Sequence, residues 1–163
     1  MPLIKLWHFT LLPTTTPTDP SLIALLTEIT TFCATYTNPT SSPSAPETHA
    51  FYHDIQDPRK LVMITGYPTQ EMNEEADRAY VEKYIGRMKE LVKHEWLRQI
   101  ELDVTSLGLG EDMVVACGPE EREVGGWDVW KGKPQGEGKV WVMVKGGKEL
   151  EGDGLILKKI VGR

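Results

Sequence analysis

The order in which its hydrophobic periodicities change is what most constrains this chain. Leu3, Ile4, Leu6, Trp7, Phe9 and Leu11 form a short apolar run closed by Pro13, which predicts a strand over 3–11. Leu22, Leu25, Leu26, Ile29, Phe32 and Cys33 then recur at helical spacing. They predict a helix over 21–34, with Asp19 or Ser21 as its cap and Pro20 in its first turn. His49–Ile55 alternates, Asp57-Pro58-Arg59 is a turn, and Lys60–Tyr67 is apolar on both faces. That pair reads as an antiparallel hairpin whose second strand is interior. Met72, Ala76, Tyr80, Tyr84, Met88 and Leu91 make one stripe, so a long helix is expected over 69–94. Its acidic residues come early and its basic ones late, as the helix dipole favours. Trp96–Asp103 alternates again, as a strand does. Residues 1–103 therefore run β-α-β-β-α-β. This is the ferredoxin-like plan, an α+β fold in which two helices cover one face of a four-stranded antiparallel sheet. The other face is bare and needs covering.

A compositional seam marks where that unit ends. Nine of the eleven prolines lie at or before Pro68, and thirteen of the fifteen glycines lie after Asp103. Residues 104–163 read as a β-rich extension of three or four short strands. Met113–Gly118, Val124–Val129 and Val140–Gly146 are the clearest, with glycine-rich turns at Gly132–Gly138 and Gly146–Gly154. The six residues Pro119–Val124 leave no room for a helix, and Glu120–Glu123 is a solvated charge cluster. Trp127 with Val129, and Trp141 with Met143, alternate on faces that require burial. The extension is expected either to cover the sheet of its own chain or to clasp that of a partner, and a homodimer is expected. Residues 35–48 are rich in Ser, Thr and Pro and read as a surface loop, an insertion or a lid.

Charge and motif content exclude several classes of function. The formal net charge is −6, whereas a nucleic-acid binder carries a basic patch. No apolar run approaches the roughly 20 residues that cross a bilayer. His8 and Pro13 interrupt the apolar N-terminus, and no small-residue cleavage site follows, so a cytoplasmic protein is expected. Cys33 and Cys117 are expected to be reduced thiols, with a disulfide between them left open. No Walker, dinucleotide-binding, zinc-protease or Cys-x-x-Cys motif occurs. His49 and His53 share one strand face but lie about 13 Å apart, too far for one metal ion. Neither a metal nor a cofactor is expected.

A family resemblance rests on three stretches. These are Phe51-Tyr52-His53-Asp54-Ile55-Gln56-Asp57-Pro58, then Leu61-Val62-Met63-Ile64-Thr65-Gly66-Tyr67, then a long helix running into Glu95-Trp96. Together they resemble the antibiotic biosynthesis monooxygenase-like proteins, which are dimeric α+β barrels, and most of all their fungal branch. There a strand of the type Trp-x-x-x-Ile-x-Leu-Asp recurs, as in Trp96–Asp103. By this resemblance residues 104–163 look like a second repeat reduced to its strands. Members with activity mostly use neither metal nor flavin. The resemblance implies a cofactor-independent oxygenase, cyclase or dehydratase of secondary metabolism, acting on a small aromatic or polyketide-like metabolite. The alternatives are a non-catalytic barrel that binds a small hydrophobic ligand, and a degenerate member with a protein–protein role.

Such chemistry needs a base, donors for a substrate anion and a dry pocket. The tryptophan that often ends the third strand in relatives corresponds to Tyr67, which keeps an aromatic wall and adds a phenol. The helix histidine of many relatives corresponds to Asn73 or, further along, to Ala76 and Asp77, so the Asn–Trp–His set of haem-degrading relatives is not reproduced. His8, His49, His53 and His94 remain as bases. His53 is the leading one, and His94 reads as a partner of the helix dipole. The expected catalytic set is His53, Tyr67 and Asn73. Trp7, Tyr52, Tyr84 and Trp96 are the aromatic candidates for a substrate wall.

Overall fold

The N-terminal apolar run forms β1 (Leu3–Leu11), a strand buried on both faces along most of its length. In this computed structural model the described residues are 1–38, 42, 44–118, 125–128 and 139–163, with the backbone alone for 125–128 and 139–141. The link Pro119–Val124 with its charge cluster, Val129, the turn Gly132–Gly138, and the side chains of Trp127 and Trp141 lie outside the described residues. After β1 the chain forms α1 (Pro20–Ala34), capped by Asp19, whose carboxylate accepts from the Ser21 N–H at 3.0 Å. The hairpin follows as β2 (His49–Asp54) and β3 (Lys60–Tyr67). Strand β3 pairs with β1 from Leu3↔Tyr67 to Thr10↔Lys60, and with β2 from His49↔Thr65 to His53↔Leu61.

The long helix expected over 69–94 is shorter than its periodicity promises. It comprises α2 (Gln70–Lys83), capped by the Thr69 hydroxyl, and a separate single turn, α3 (Ile85–Lys89). Tyr84 breaks it at φ −121°. The strand then begins four residues before Trp96, as β4 (Val92–Ile100). The reason is the sheet. β4 pairs with all of β1 but Leu3, from Ile4↔Ile100 to Leu11↔Val92, across a bulge at His8/Phe9. Those ladder bonds hold Val92–Glu95 extended. His94 is therefore a strand residue packed on Trp7 and Phe9, not a helix-end partner of the dipole. The buried face of α2 is also turned from the expected stripe. Asn73, Ala76 and Tyr80 are buried, while Met72 is exposed.

Beyond the seam a short turn, α4 (Val104–Leu107), leads to β5 (Asp112–Gly118), β6 (Gly125–Asp128), β7 (Lys139–Gly146) and β8 (Leu155–Gly162). These strands do not lie over the open sheet face. They extend the sheet at both edges, β8 pairing with β2 and β6 with β4, and close it into an eight-stranded barrel. Every pairing is antiparallel. Around the barrel the order is β4-β1-β3-β2 followed by β8-β5-β7-β6. The second quartet has the order of the first with every number raised by four.

Two cores result from the strand alternation. Ile4, Leu6, Tyr52, Val62, Ile64, Met113, Val115, Val142 and Leu157 fill the barrel. Trp7, Phe9, Phe51, Leu61 and Met63 point outward and pack under α1–α3 with Leu22, Leu26, Tyr80, Tyr84 and Met88. The bare face that called for a partner is thus the lining of a barrel closed within one chain. Both cysteines are free thiols. Among the described residues no helix is long and apolar enough to cross a membrane.

Candidate functional site

Strand alternation decides which candidate residues meet. Leu3, Lys5, Trp7 and Phe9 occupy the helix side of β1, and Leu61, Met63, Thr65 and Tyr67 that of β3. Lys5 falls on the apolar side, where it is 1% exposed. Its ammonium pairs with the Asp77 carboxylate of α2 and lies 5.5 Å from the Trp7 ring centre and 5.4 Å from that of Tyr67. Burial pulls the Lys5 pKa below the usual lysine value, against the opposing pull of Asp77.

Around this pair several hydrogen-bonding atoms have no partner among the described residues. They are Trp7 Nε1, Tyr80 Oη and His49 Nε2, and, one turn before Asp77 on α2, Asn73 Oδ1. Trp7 and Tyr80 meet edge to face with centroids 5.0 Å apart, and His49 and Tyr67 likewise at 5.1 Å. His49 Nδ1 lies 2.8 Å from the Thr48 hydroxyl. Burial, with a smaller push from Lys5, drops the His49 pKa to about 3, so the ring is neutral. Burial likewise pushes the Cys33 thiol up to about 12, so it stays protonated.

Lys5, Trp7, Cys33, Tyr67, Asp77 and Tyr80 line a cavity of about 10 Å³. That holds about one water molecule and excludes an aromatic metabolite. Tyr67 also borders a cleft of about 540 Å³, together with Thr37, Thr48, Gly66, Pro68, Asp103 and Thr105. This falls within the roughly 300–1,000 Å³ of small-molecule sites. Tyr67 thus belongs to the lining of both the cleft and the small cavity. Gly66 is set by the same corner, because a Cβ there would come within 2.1 Å of Val104 Cγ1 on α4.

The expected catalytic residues do not converge. Tyr67 borders both spaces, and Asn73 is 2% exposed on α2. His53 pairs across from Leu61, six residues before Tyr67 on β3, or about 20 Å away along the strand. Its Nδ1 lies 3.2 Å from the Asp54 carbonyl. The aromatic candidates divide between two cores. Trp7 lines the small cavity, and Tyr84 is buried nearby against Phe32. Tyr52 is inside the barrel, its hydroxyl donating to the Gly110 carbonyl at 2.9 Å. Trp96 is there too, 5.3 Å from both His8 and Arg98. No group of three His, Cys, Asp or Glu side chains is placed to hold a metal ion among the described residues.

Lys5, His49 and Asp77 were not in the expected set. The signal for Lys5 was present in Leu3-Ile4-Lys5-Leu6-Trp7, which sets a lysine among the apolar residues of one strand face. The signal for Asp77 was its spacing from Asn73 and Tyr80, four and three residues away on one helix face.

No protein-family model matches the chain, and no curated protein does. Among solved structures it is similar to the crystal structure of a chlorite dismutase-like protein, TA0507. The TM-score is 0.54 and the sequence identity 8%, over 97% of this chain and 94% of that one. At this identity the likeness concerns the fold, and it spans both sides of the seam: the chain has a mixed α+β barrel fold shared with that protein.

Proposed function

We propose that this protein is a small-molecule-binding α+β barrel that takes a flat, largely apolar ligand, aromatic or polyketide-like, into the cleft beside Tyr67. The observation that carries the reading is the cleft itself. Its volume of about 540 Å³ suits such a ligand, and its border combines an aromatic ring, prolines and a few hydroxyls. The enzymatic form of the reading, a cofactor-independent oxygenase, cyclase or dehydratase, has the Tyr67 phenol at the cleft wall and lacks His53 there. Ligand binding is therefore the better supported part. The repeated strand order supports a second proposal, that β5–β8 are a ferredoxin-like repeat stripped of its helices.

Titration with the fluorescent probe 2-naphthol tests the cleft. Thr105 is exposed at its rim, and Thr105→Trp fills it. The expected result is micromolar binding by the native chain, weakened at least tenfold in the variant. Equal binding by both would remove the cleft as the site.

A further inference from the structure

The cleft beside Tyr67 is polar in one sense. Of the described residues on its border, Asp103 alone carries a charge at neutral pH. The Tyr67 phenol stays neutral, because burial holds its pKa well above the usual tyrosine value. Lys5 sets its ammonium against the Tyr67 ring, but that charge is paired with Asp77. Two border hydroxyls have already committed their protons. Thr37 donates to the Gly66 carbonyl at 2.7 Å, and Thr105 donates to Asp103 Oδ1 at 2.8 Å. Each keeps lone pairs, and no proton, for a guest. The Thr105 N–H also donates to Oδ1, at 2.9 Å, so Asp103 Oδ2 has no partner among the described residues. We propose that the cleft selects its ligand by charge, taking a small aromatic that carries a protonated amine and disfavouring a carboxylate, with Asp103 as the anion that makes the choice.

This selection rests on the cleft reading and narrows its ligand. An ammonium brings donors and no acceptor, which is what a border of committed hydroxyls and a carboxylate can satisfy. A carboxylate brings acceptors alone and meets Asp103 as a like charge. Asp103 is fixed in place by its own chain, because it caps α4, so a ligand need not order it on binding. The same cap makes asparagine the informative replacement, since it keeps the capping oxygen and removes the charge. A neighbouring cleft of about 390 Å³ shows the contrast. It is bordered by both Glu47 and Arg163 and so carries both signs. Asp103 is exposed, and an ion pair at an exposed rim is modest and screened by salt. The net charge of −6 also attracts cations at long range, so the test has to separate the two.

Three fluorescent naphthalenes of one size provide that test. They are 2-(aminomethyl)naphthalene, cationic at neutral pH, 2-naphthalenemethanol, neutral, and 2-naphthoate, anionic. Each is titrated into the full chain at low ionic strength. The expected result is that the amine binds about fivefold tighter than the naphthoate, with the alcohol between them. Asp103→Asn should bring all three within about twofold of one another. Glu82→Gln removes an exposed charge of α2 outside the cleft border and should leave the order intact. Equal affinities in the native chain, an order that persists in Asp103→Asn, or the same loss of order in Glu82→Gln would overturn the proposal. Thr105→Trp separates it from the cleft reading. If the native chain binds all three equally and Thr105→Trp weakens all three, the cleft stands and selection by charge falls. Undiminished binding of the amine in Thr105→Trp would remove the cleft and the proposal together.

Discussion

At the scale of single residues, the molecule turns on polar groups placed where apolar ones would suffice. Lys5 is 1% exposed, while its partner Asp77 keeps contact with solvent. Their removal should therefore be unequal. Asp77→Ala strands a buried ammonium and should cost about 3–5 kcal/mol, whereas Lys5→Met leaves a carboxylate that water can reach and should stay within about 1 kcal/mol of native. Urea unfolding of the two variants measures this, and equal losses would contradict it. His49 gives a pH dependence of definite sign. Its folded pKa of about 3 lies below the unfolded value of about 6.5. The unfolded chain binds the proton first, so stability is complete above about pH 6.5 and falls as pH drops toward 3. His94, depressed to about 4, acts in the same direction, and so does His8. Between about pH 6.5 and 5 the carboxylates contribute little, so the slope there belongs to the histidines. Thermal unfolding across this window should show Tm falling with pH, and His49→Gln should flatten it. A native Tm constant over that range would refute the buried neutral ring.

At the scale of elements, the pairing of strands overrules helix periodicity. The stripe through Tyr84, Met88 and Leu91 promised a helix to residue 94. Eight residues of β1 instead take β4 as their partner from Val92 onward. The corner where β3 ends depends on glycine. Gly66 lets Val104 of α4 rest against the strand, and an added methyl would overlap its side chain. Gly66→Ala should cost about 1–3 kcal/mol through overpacking. Adding Val104→Ala should return part of that loss, a coupling that a double-mutant cycle in urea detects. Additive losses would mean that the two residues do not meet. The elements also explain why the candidate site was half legible. Tyr67 and Asn73 stand at element ends, where the β3–α2 connection is visible in the sequence. His53 was placed correctly on its strand but at the far end of the hairpin from them.

At the scale of the whole molecule, closure of the barrel joins the two sides of the seam. Leu157 of β8 is buried in the barrel interior between β2 and β5, opposite Asp54 and Met113. The chain should then unfold in one transition, with tryptophan fluorescence and far-ultraviolet circular dichroism coinciding. Leu157→Ala should lower the stability seen by both probes by about 2–5 kcal/mol. Two separate transitions would show that residues 104–163 form a unit of their own.

The sequence alone determined the kinds of element and most of their positions, because strand and helix periods leave local marks in which residues are apolar. β1, α1, β2, β3, β5, β6 and β7 followed from such marks, whereas β8 had been no more than a possible fourth strand of the extension. Whether β5–β8 would cover a sheet, clasp a partner or complete a barrel is a matter of which strand edges meet, and edges carry no local mark because their bonds are made by the backbone. The burial of Lys5 was decided in the same way. A lysine on a strand is exposed or enclosed according to what packs on that face, and only the descent of α2 onto β1 and β3 enclosed this one with Asp77, Trp7 and Tyr67.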